Sequence, residues 1–334
     1  MRLLVRRLTQ FLTRLAILEI NIMNQSKTLV SLDKNGQKWR EKKRLSLLYA
    51  EYLKILGYRK ANNVKQCGDT IYFVRDDHGN LHVNEAWFCH SRLCPLCSWR
   101  RAIKYSANLC NMLECALNEQ PHAAFLFLTL TEQNCLGSEL HNRLKLMTKG
   151  FHDLTQYQKV KKNLLGYIRS TEVTVNNTTQ MYHPHLHANL MVKSTYFSGK
   201  NNYVSQRQWS QLYQRARKLT YVPIVNIQAI RPNYQKNKNS ILAAAQEIAK
   251  YQVKAQDIIT GNIDRDLHII EDLEEALYGT RSIAFSKSFK KLNNFEKRQH
   301  QRNEIQATWS LSNENYHIKL IYSYKKQKHL LYTT

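Results

Sequence analysis

No stretch of 18 or more consecutive apolar residues occurs in this 334-residue chain, so a membrane-spanning helix is not expected. A secretory leader is not expected either. Leu4, Leu8, Leu12, Leu15 and Leu18 form a helical stripe with Arg2, Arg6, Arg7 and Arg14 interspersed. However, Arg14 and Glu19 interrupt the apolar segment and no small-residue cleavage site follows. Residues 1–22 read better as a loosely attached amphipathic helix, with Met23 as an alternative start. Acidic residues are scarce: 25 Asp and Glu stand against 50 Lys and Arg, a formal charge of +25. That imbalance calls for a polyanionic partner, nucleic acid first and an anionic membrane surface second. The seven cysteines are an odd number, which argues against a disulfide framework and for a cytoplasmic chain.

What is present allows a sizeable core. With 43% hydrophobic residues, one large domain or two unequal ones are expected. The 19 Tyr and 5 Trp mostly fill such cores, although some offer faces on which unpaired bases stack.

The most informative stretch is His183-Pro184-His185-Leu186-His187, continuing to Val192. At the two-residue period of a strand, Leu186, Ala188, Leu190 and Val192 point one way, and His183, His185, His187 and Asn189 the other. Imidazoles two residues apart stand side by side and can grip one divalent cation. Upstream, Tyr167 to Val175 reads as a second strand. A turn over Asn176 to Gln180 folds it back as an antiparallel hairpin, bringing Glu172 opposite His185 or His187. A carboxylate beside two nitrogens, with open positions, suits Mg²⁺ or Mn²⁺ acting on a phosphodiester. His183 is a fourth ligand, a group behind the ligands, or simply a turn residue.

A second cluster comes earlier. Cys94 and Cys97, with Pro95 between them, form a tight knuckle that turns two thiolates toward one tetrahedral cation. Cys89 and Cys67 would complete a four-sulfur zinc site, with His82 or His90 as the alternative fourth ligand. Cys110, Cys115 and Cys135 lack ligand spacing and read as packing residues.

Around these motifs, a basic amphipathic helix is expected over Lys38 to Leu56, and a polar hairpin turns at Asp76 to Asn80. Trp99-Arg100-Arg101 launches a helix to about Asn118, and Phe125 to Thr131 reads as a central strand buried on both faces. Further helices are expected over Ser138 to Leu154 and Ser205 to Leu219, and a strand over Val222 to Ile230. A last helix runs from Ser240 to about Asp257 and buries Leu242, Ala245, Ala249 and Val253. Its opposite face would carry Glu247, Tyr251 and Lys254, which taken alone is ordinary polar surface. The basic helices at 38–56 and 205–219 are candidates for duplex contact. Arg100, Arg101 and Lys250 are candidates for DNA contact of unspecified kind.

Taken in order, Phe127-Leu128-Thr129-Leu130-Thr131, His183 to His187, and Glu247-x-x-x-Tyr251-x-x-Lys254 resemble the rolling-circle replication initiators of small Gram-positive plasmids, members of the HUH endonuclease superfamily. The likeness runs from about Cys67 to Leu292. It implies an α+β fold, a central antiparallel sheet of HUH or RRM-like palm type flanked by helices, preceded by a cysteine-rich zinc-knuckle-like module. It further implies a metal-dependent nickase in which His185, His187 and Glu172 hold the cation. Tyr251 attacks to give a 5′-phosphotyrosine and a free 3′-OH. Lys254, or less readily Lys250, would activate the tyrosine or hold the phosphate, and Glu247 would activate water at termination, as a single-tyrosine enzyme requires. The DNA would be a plasmid double-strand origin, single-stranded at the nick, with a host helicase and polymerase as further partners.

Four regions follow: a basic helical extension (1–60), the cysteine module and its helix (61–120), the catalytic domain (121–292) and a basic C-terminal segment (293–334). The alternatives are a rolling-circle transposase of the two-tyrosine kind, whose Tyr-x-x-x-Tyr would need tyrosine at Glu247, and a non-enzymatic zinc protein that only binds DNA.

Overall fold

The computed structural model describes residues 36–75, 81–198, 201–230, 238–250, 252–293, 317–323 and 328–331. In chain order these form helices α1 (Gly36–Ile55) and α2 (Ala61–Gln66), strands β1 (Thr70–Arg75) and β2 (Leu81–Ala86), and the long α3 (Pro95–Glu119). Then come β3 (Ala124–Thr131), α4 (Gly137–Gln156), α5 (Gln158–Lys161), β4 (Leu164–Val175) and β5 (Tyr182–Val192). The chain continues with α6 (Gln206–Arg217), β6 (Ile224–Ile230), α7 (Lys238–Ala249), α8 (Ala255–Ile258), α9 (Ile263–Leu277), β7 (Ile283–Phe285), β8 (His317–Ser323) and β9 (Lys328–Leu331). The fold is α+β, as expected. The described residues divide into two compact units, one within Arg101–Ile258 and Asp272–Asn303, the other holding the residues up to Arg100, Ile259–Glu271 and the last two strands.

The first of these is built on a five-stranded antiparallel sheet in the order β6-β3-β5-β4-β7. The histidine strand β5 is its middle strand. Its period-two pattern sorts the two faces. Leu126, Leu128 and Leu130 of β3 join Leu186, Ala188, Leu190 and Val192 of β5 in one core, covered by Met147, Phe151 and Leu154 of α4 and by Trp209 and Tyr213 of α6. On the other face Phe125, Ile168 and Met191 meet Leu109, Met112, Leu113 and Ala116 of α3 and Ala245, Ile248 and Ala249 of α7. The same face carries the histidines, so the apolar packing occupies one end of it and the polar residues the other.

Local chemistry places the ends. Asn176 Oδ1 accepts the amides of Thr178 and Thr179 at 2.9 Å each, the side-chain turn that closes the β4–β5 hairpin. Ser205 caps α6, accepting from the Gln208 amide. The helix expected from Ser240 to Asp257 is interrupted: α7 ends at Ala249 and α8 begins at Ala255. The cause is the sheet. β7 pairs with β4 only at Ile168 to Ser170, so the outer amide of Val173 is left to bond the Gln252 carbonyl at 2.7 Å. The Gln252 side chain donates to Thr171 Oγ1 at 3.0 Å. A residue tied to a strand edge on both its backbone and its side chain cannot continue the helical ladder.

The other unit contains α1, α2 and a four-stranded sheet in the order β2-β1-β8-β9. Strands β8 and β9 therefore come from the segment expected to be a separate basic tail, and α1 from the expected N-terminal extension. The Asp76 to Asn80 turn and residues 1–22 lie outside the described residues. Trp39 and Trp99 pack edge to face, 5.1 Å between centroids. On α1 the basic face is not wholly solvated. Lys43 is fully buried and its ammonium bonds the Lys65 carbonyl (2.7 Å), the Cys67 carbonyl (2.8 Å) and Asp69 Oδ1 (2.6 Å). Helix α9 had no counterpart among the sequence expectations, although its buried Ile269, Ile270, Leu273, Ala276 and Leu277 follow helical spacing.

Candidate metal centres

The β4–β5 register sets Glu172 opposite His185 and Ser170 opposite His187. From there the Glu172 carboxylate reaches diagonally along the hairpin, and Oε2 lies 2.9 Å from His187 Nε2. The other side of β5 fixes the rings. Thr129 Oγ1 is 3.1 Å from His187 Nδ1, and Thr131 Oγ1 is 3.0 Å from His185 Nδ1. Both pairs are cross-strand neighbours in the β3–β5 ladder. A hydroxyl on Nδ1 turns Nε2 outward, the arrangement that ligating histidines need. Glu247, at the edge of the α7 stripe and not on its far side, closes the group: one ligand atom each from Glu172, His187 and Glu247 lies within 4.8 Å of the others.

This set differs from the expected trio. His185 is not in it; its ring stacks on His187 with centroids 6.1 Å apart and lies 4.4 Å from that of His183. Burial and its two histidine neighbours push the His185 pKa down to about 4, so the ring is neutral and available as a nitrogen donor. Burial raises the Glu172 carboxyl, but the His187 hydrogen bond and the charges of His187, Lys254 and Lys250 outweigh it and hold the group below its ordinary value. Both lysines thus act on the site, and Lys250 also pairs with Glu247. Tyr251 lies outside the described residues. The chain on either side of it is anchored at the site, by Glu247 before it and by Gln252 after it, the latter on both neighbours of Glu172.

Cys67, Cys89, Cys94 and Cys97 form a second group, also within 4.8 Å of one another, and all four are free thiols. Their sulfurs are 3.5 Å (Cys67–Cys97), 3.6 Å (Cys89–Cys97) and 3.8 Å (Cys67–Cys94) apart. A tetrahedral zinc with bonds near 2.3 Å holds its sulfurs about 3.8 Å apart, so the cage has the right size. Positive φ at Gly68 (65°) and His90 (55°) turns the chain sharply after Cys67 and Cys89. A side chain at 68 would also meet Leu96, 2.6 Å away. Of the alternative fourth ligands, His90 is exposed and stands outside the group, while the His82 side chain is not among those described.

The replication-protein family model matches residues 80–332. Curated relatives called "Protein rep" cover most of the chain. The one from Lentilactobacillus hilgardii is 49% identical over 79% of this chain and 83% of its own length. Those from Lactiplantibacillus plantarum and Streptococcus pneumoniae are 42% and 38% identical, over 84% and 89% of this chain and 95% and 97% of theirs. The chain belongs to the replication-protein (Rep) family. No solved structure matches it.

For a Rep protein, two of the sequence-derived site residues prove to be placed differently than their positions implied. Arg100 does not face outward. Its guanidinium lies 3.9 Å over the Phe88 ring and 5.5 Å from that of Trp39, and its buried NH1 has no hydrogen-bond partner. Glu247 is grouped with the proposed metal ligands, although its expected task was to activate water. Arg101 is half-buried at the start of the next turn of α3. Sequence reasoning missed Thr129 and Thr131, because an apolar run buried on both faces hides which polar residues share the histidine face. It also missed Gln252 and the fully buried Lys43, for which no local pattern gives a signal.

Proposed function

We propose that this Rep protein starts plasmid rolling-circle replication by nicking and rejoining one origin strand through a 5′-phosphotyrosine on Tyr251. The observation that carries the reading is the histidine–carboxylate centre. Two imidazoles are aimed by threonines, and two carboxylates converge on His187. A mixed nitrogen and oxygen donor set of this kind fits Mg²⁺ or Mn²⁺. His185, His187 and Glu172 are the residues that would hold the ion, with Glu247 beside them, and the ion would polarise a phosphate oxygen and offset charge developing on it.

The chain's own residues do the rest. The Tyr251 phenolate oxygen bonds to phosphorus as the bond to the 3′ oxygen breaks, and that oxygen takes a proton to become the 3′-OH primer. Attack by a 3′-OH on the phosphotyrosine reverses the step and rejoins the strand. Lys254 and Lys250, whose charges already act on Glu172, favour the phenolate and bind the phosphate. Glu247 takes a proton from water when the tyrosyl linkage is hydrolysed at termination. A host helicase and polymerase would use the primer, in the cytoplasm. No helix among the described residues is long and apolar enough to cross a membrane.

The Cys67, Cys89, Cys94 and Cys97 cage is read as structural Zn²⁺. An orphaned cation supports this. Burial lowers the pKa of the Arg100 guanidinium, while Cys97 and Cys67 charges oppose that, and no carboxylate pairs with it among the described residues. A guanidinium with a buried, unpaired NH1 is stabilised by a nearby counter-charge, and four thiolates around Zn²⁺ supply a net −2.

A fluorescent single-stranded origin oligonucleotide with Mn²⁺ tests the reading. A covalent adduct that disappears in Tyr251→Phe supports it. Binding without any adduct would favour a non-enzymatic DNA-binding protein.

A further inference from the structure

The histidine face of the sheet continues past the metal centre onto β6. Register partners in an antiparallel ladder project on the same side. Thr131 is opposite both His185 and Ile224, Thr129 opposite both His187 and Asn226, Phe127 opposite Gln228, and Phe125 opposite Ile230. The threonine–histidine hydrogen bonds confirm the shared side for the two rows nearest the site. Toward β4 and β5 the apolar end of this face is packed under α3 and α7. Toward β6 it opens: Ile224 is 72% exposed, Asn226 and Gln228 are exposed, and Ile230 is half-buried. The opposite side of β6 is anchored by Val225, buried in the core under α4 and α6.

This shelf is chemically unusual for the chain that carries it. In a protein of formal charge +25, Ile224 to Ile230 contains no charged residue. A surface for phosphates would be basic. What the shelf offers is a pair of planar amides, each with donors and an acceptor, between aliphatic side chains. Neither amide has a hydrogen-bond partner among the described residues. Those are the groups that read base edges, through paired hydrogen bonds and apolar contact. Asn226 lies two strand spacings, about 10 Å, from His187, a distance covered by about three stacked nucleotides.

We propose that the exposed face of β6 is a base-reading subsite, in which Asn226 and Gln228 hydrogen-bond the unpaired bases beside the phosphate held at the metal centre and Ile224 packs on them. This rests on the nicking function proposed above for its orientation. The strand is also the outer edge of the sheet among the described residues, and pairing with a second copy is the competing use of such an edge. Against that, the Gln206 side chain already occupies the Val225 carbonyl at 2.8 Å.

The test uses the full chain, in EDTA so that no cleavage intervenes, and fluorescence anisotropy with dA, dC, dG and dT 12-mers. The wild type should bind the four with different affinities. Asn226→Ala combined with Gln228→Ala should shrink the ratio of tightest to weakest by at least tenfold, with the salt dependence and the thermal midpoint unchanged because the lost groups are exposed and uncharged. Equal binding of all four by the wild type, or an unchanged ratio in the variant, overturns the proposal. So does a wild-type dimer in sedimentation that the substitutions dissociate without changing the ratio. Absence of a Tyr251 adduct would overturn the nicking function and leave this readout standing.

Discussion

Glu172 and His187 are not register partners, yet their side chains meet at 2.9 Å, because the diagonal of an antiparallel hairpin is within reach of a long side chain. The contact joins an acid to a base that both have other support: Thr129 on the far side of the imidazole, and lysine charge around the carboxylate. If this pair holds the catalytic ion, Glu172→Gln or His187→Ala should lower Mn²⁺-dependent nicking by about 100-fold or more, while DNA binding stays within a few-fold. Nicking by both variants at the wild-type rate would remove the assignment.

The threonines give a finer test. Thr129→Val keeps the shape and removes the hydroxyl that orients His187. Loss of such a partner typically costs about 10- to 100-fold in metal affinity. The Mn²⁺ concentration for half-maximal nicking should rise accordingly while the rate at saturating Mn²⁺ changes much less. An unchanged Mn²⁺ titration would mean that the strand alone aims the ring.

Acid should weaken the metal-free protein through the same residues. The His185 pKa falls from 6.5 to about 4 on folding, so between these values the unfolded chain binds the proton and the folded one does not. Stability is therefore lost as the pH falls from 6.5 and levels off near 4. The full shift would be worth about 3 kcal/mol, and the partial exposure of the ring reduces that. Glu172 adds in the same direction: its contribution, present above the ordinary carboxylate pKa, is lost as the pH falls through its depressed folded value. Urea midpoints in EDTA between pH 7 and 4 should fall more steeply for the wild type than for His185→Gln. Parallel curves would contradict the account.

Much of this site was legible because strands alternate. Once the turn at Asn176 was read, period two fixed which residues share the histidine face, and the observed register brought Glu172 opposite His185 as one of the two expected pairings. The break before Gln252 was not legible. The helical stripe runs on through Val253, and only the unpaired edge of β4, created by the shortness of β7, explains why the chain leaves the helix. Likewise β8 joins β1 across more than 200 residues, a pairing that no local pattern announces. Lys43 gave no signal for a simpler reason: a lysine on a basic helix is usually solvated, and only the carbonyls of Lys65 and Cys67 at the end of α2 let it be buried.

Gln252 itself makes a prediction. Gln252→Leu would strip Thr171 Oγ1 of its donor at a buried position, a loss of about 1–3 kcal/mol, but would keep the backbone bond from Val173 to the residue 252 carbonyl. The thermal midpoint should drop by several degrees. If the tie also registers the nicking segment against Glu172, adduct formation with saturating Mn²⁺ should slow by more than the lost stability accounts for at a temperature where the variant is fully folded. A stable, fully active variant would show that the backbone bond alone holds the segment.

The cysteine cage closes on its charge. Zinc-loaded, it carries −2, and the half-buried Arg100, stacked on Phe88 and near Trp39, is a cation beside it with no carboxylate partner among the described residues. In the metal-free cage Cys67 is pushed up by its three sulfur neighbours and by burial, whereas at Cys94 burial is outweighed by the hydrogen bonds of the other three sulfurs and Ser46, which hold the thiol below its ordinary value; zinc takes thiolate from all four. Purified protein should therefore contain one equivalent of zinc. Cys94→Ser should lose it and unfold at lower temperature, because removing a ligand removes folding energy. Arg100→Gln should keep the fold but release zinc to a chromogenic chelator about tenfold faster or more, and Arg100→Lys should fall between, since the charge remains while the stacking is weakened. Zinc-free wild-type protein of undiminished stability would disprove the cage, whereas normal zinc retention in Arg100→Gln would disprove only the role of the guanidinium.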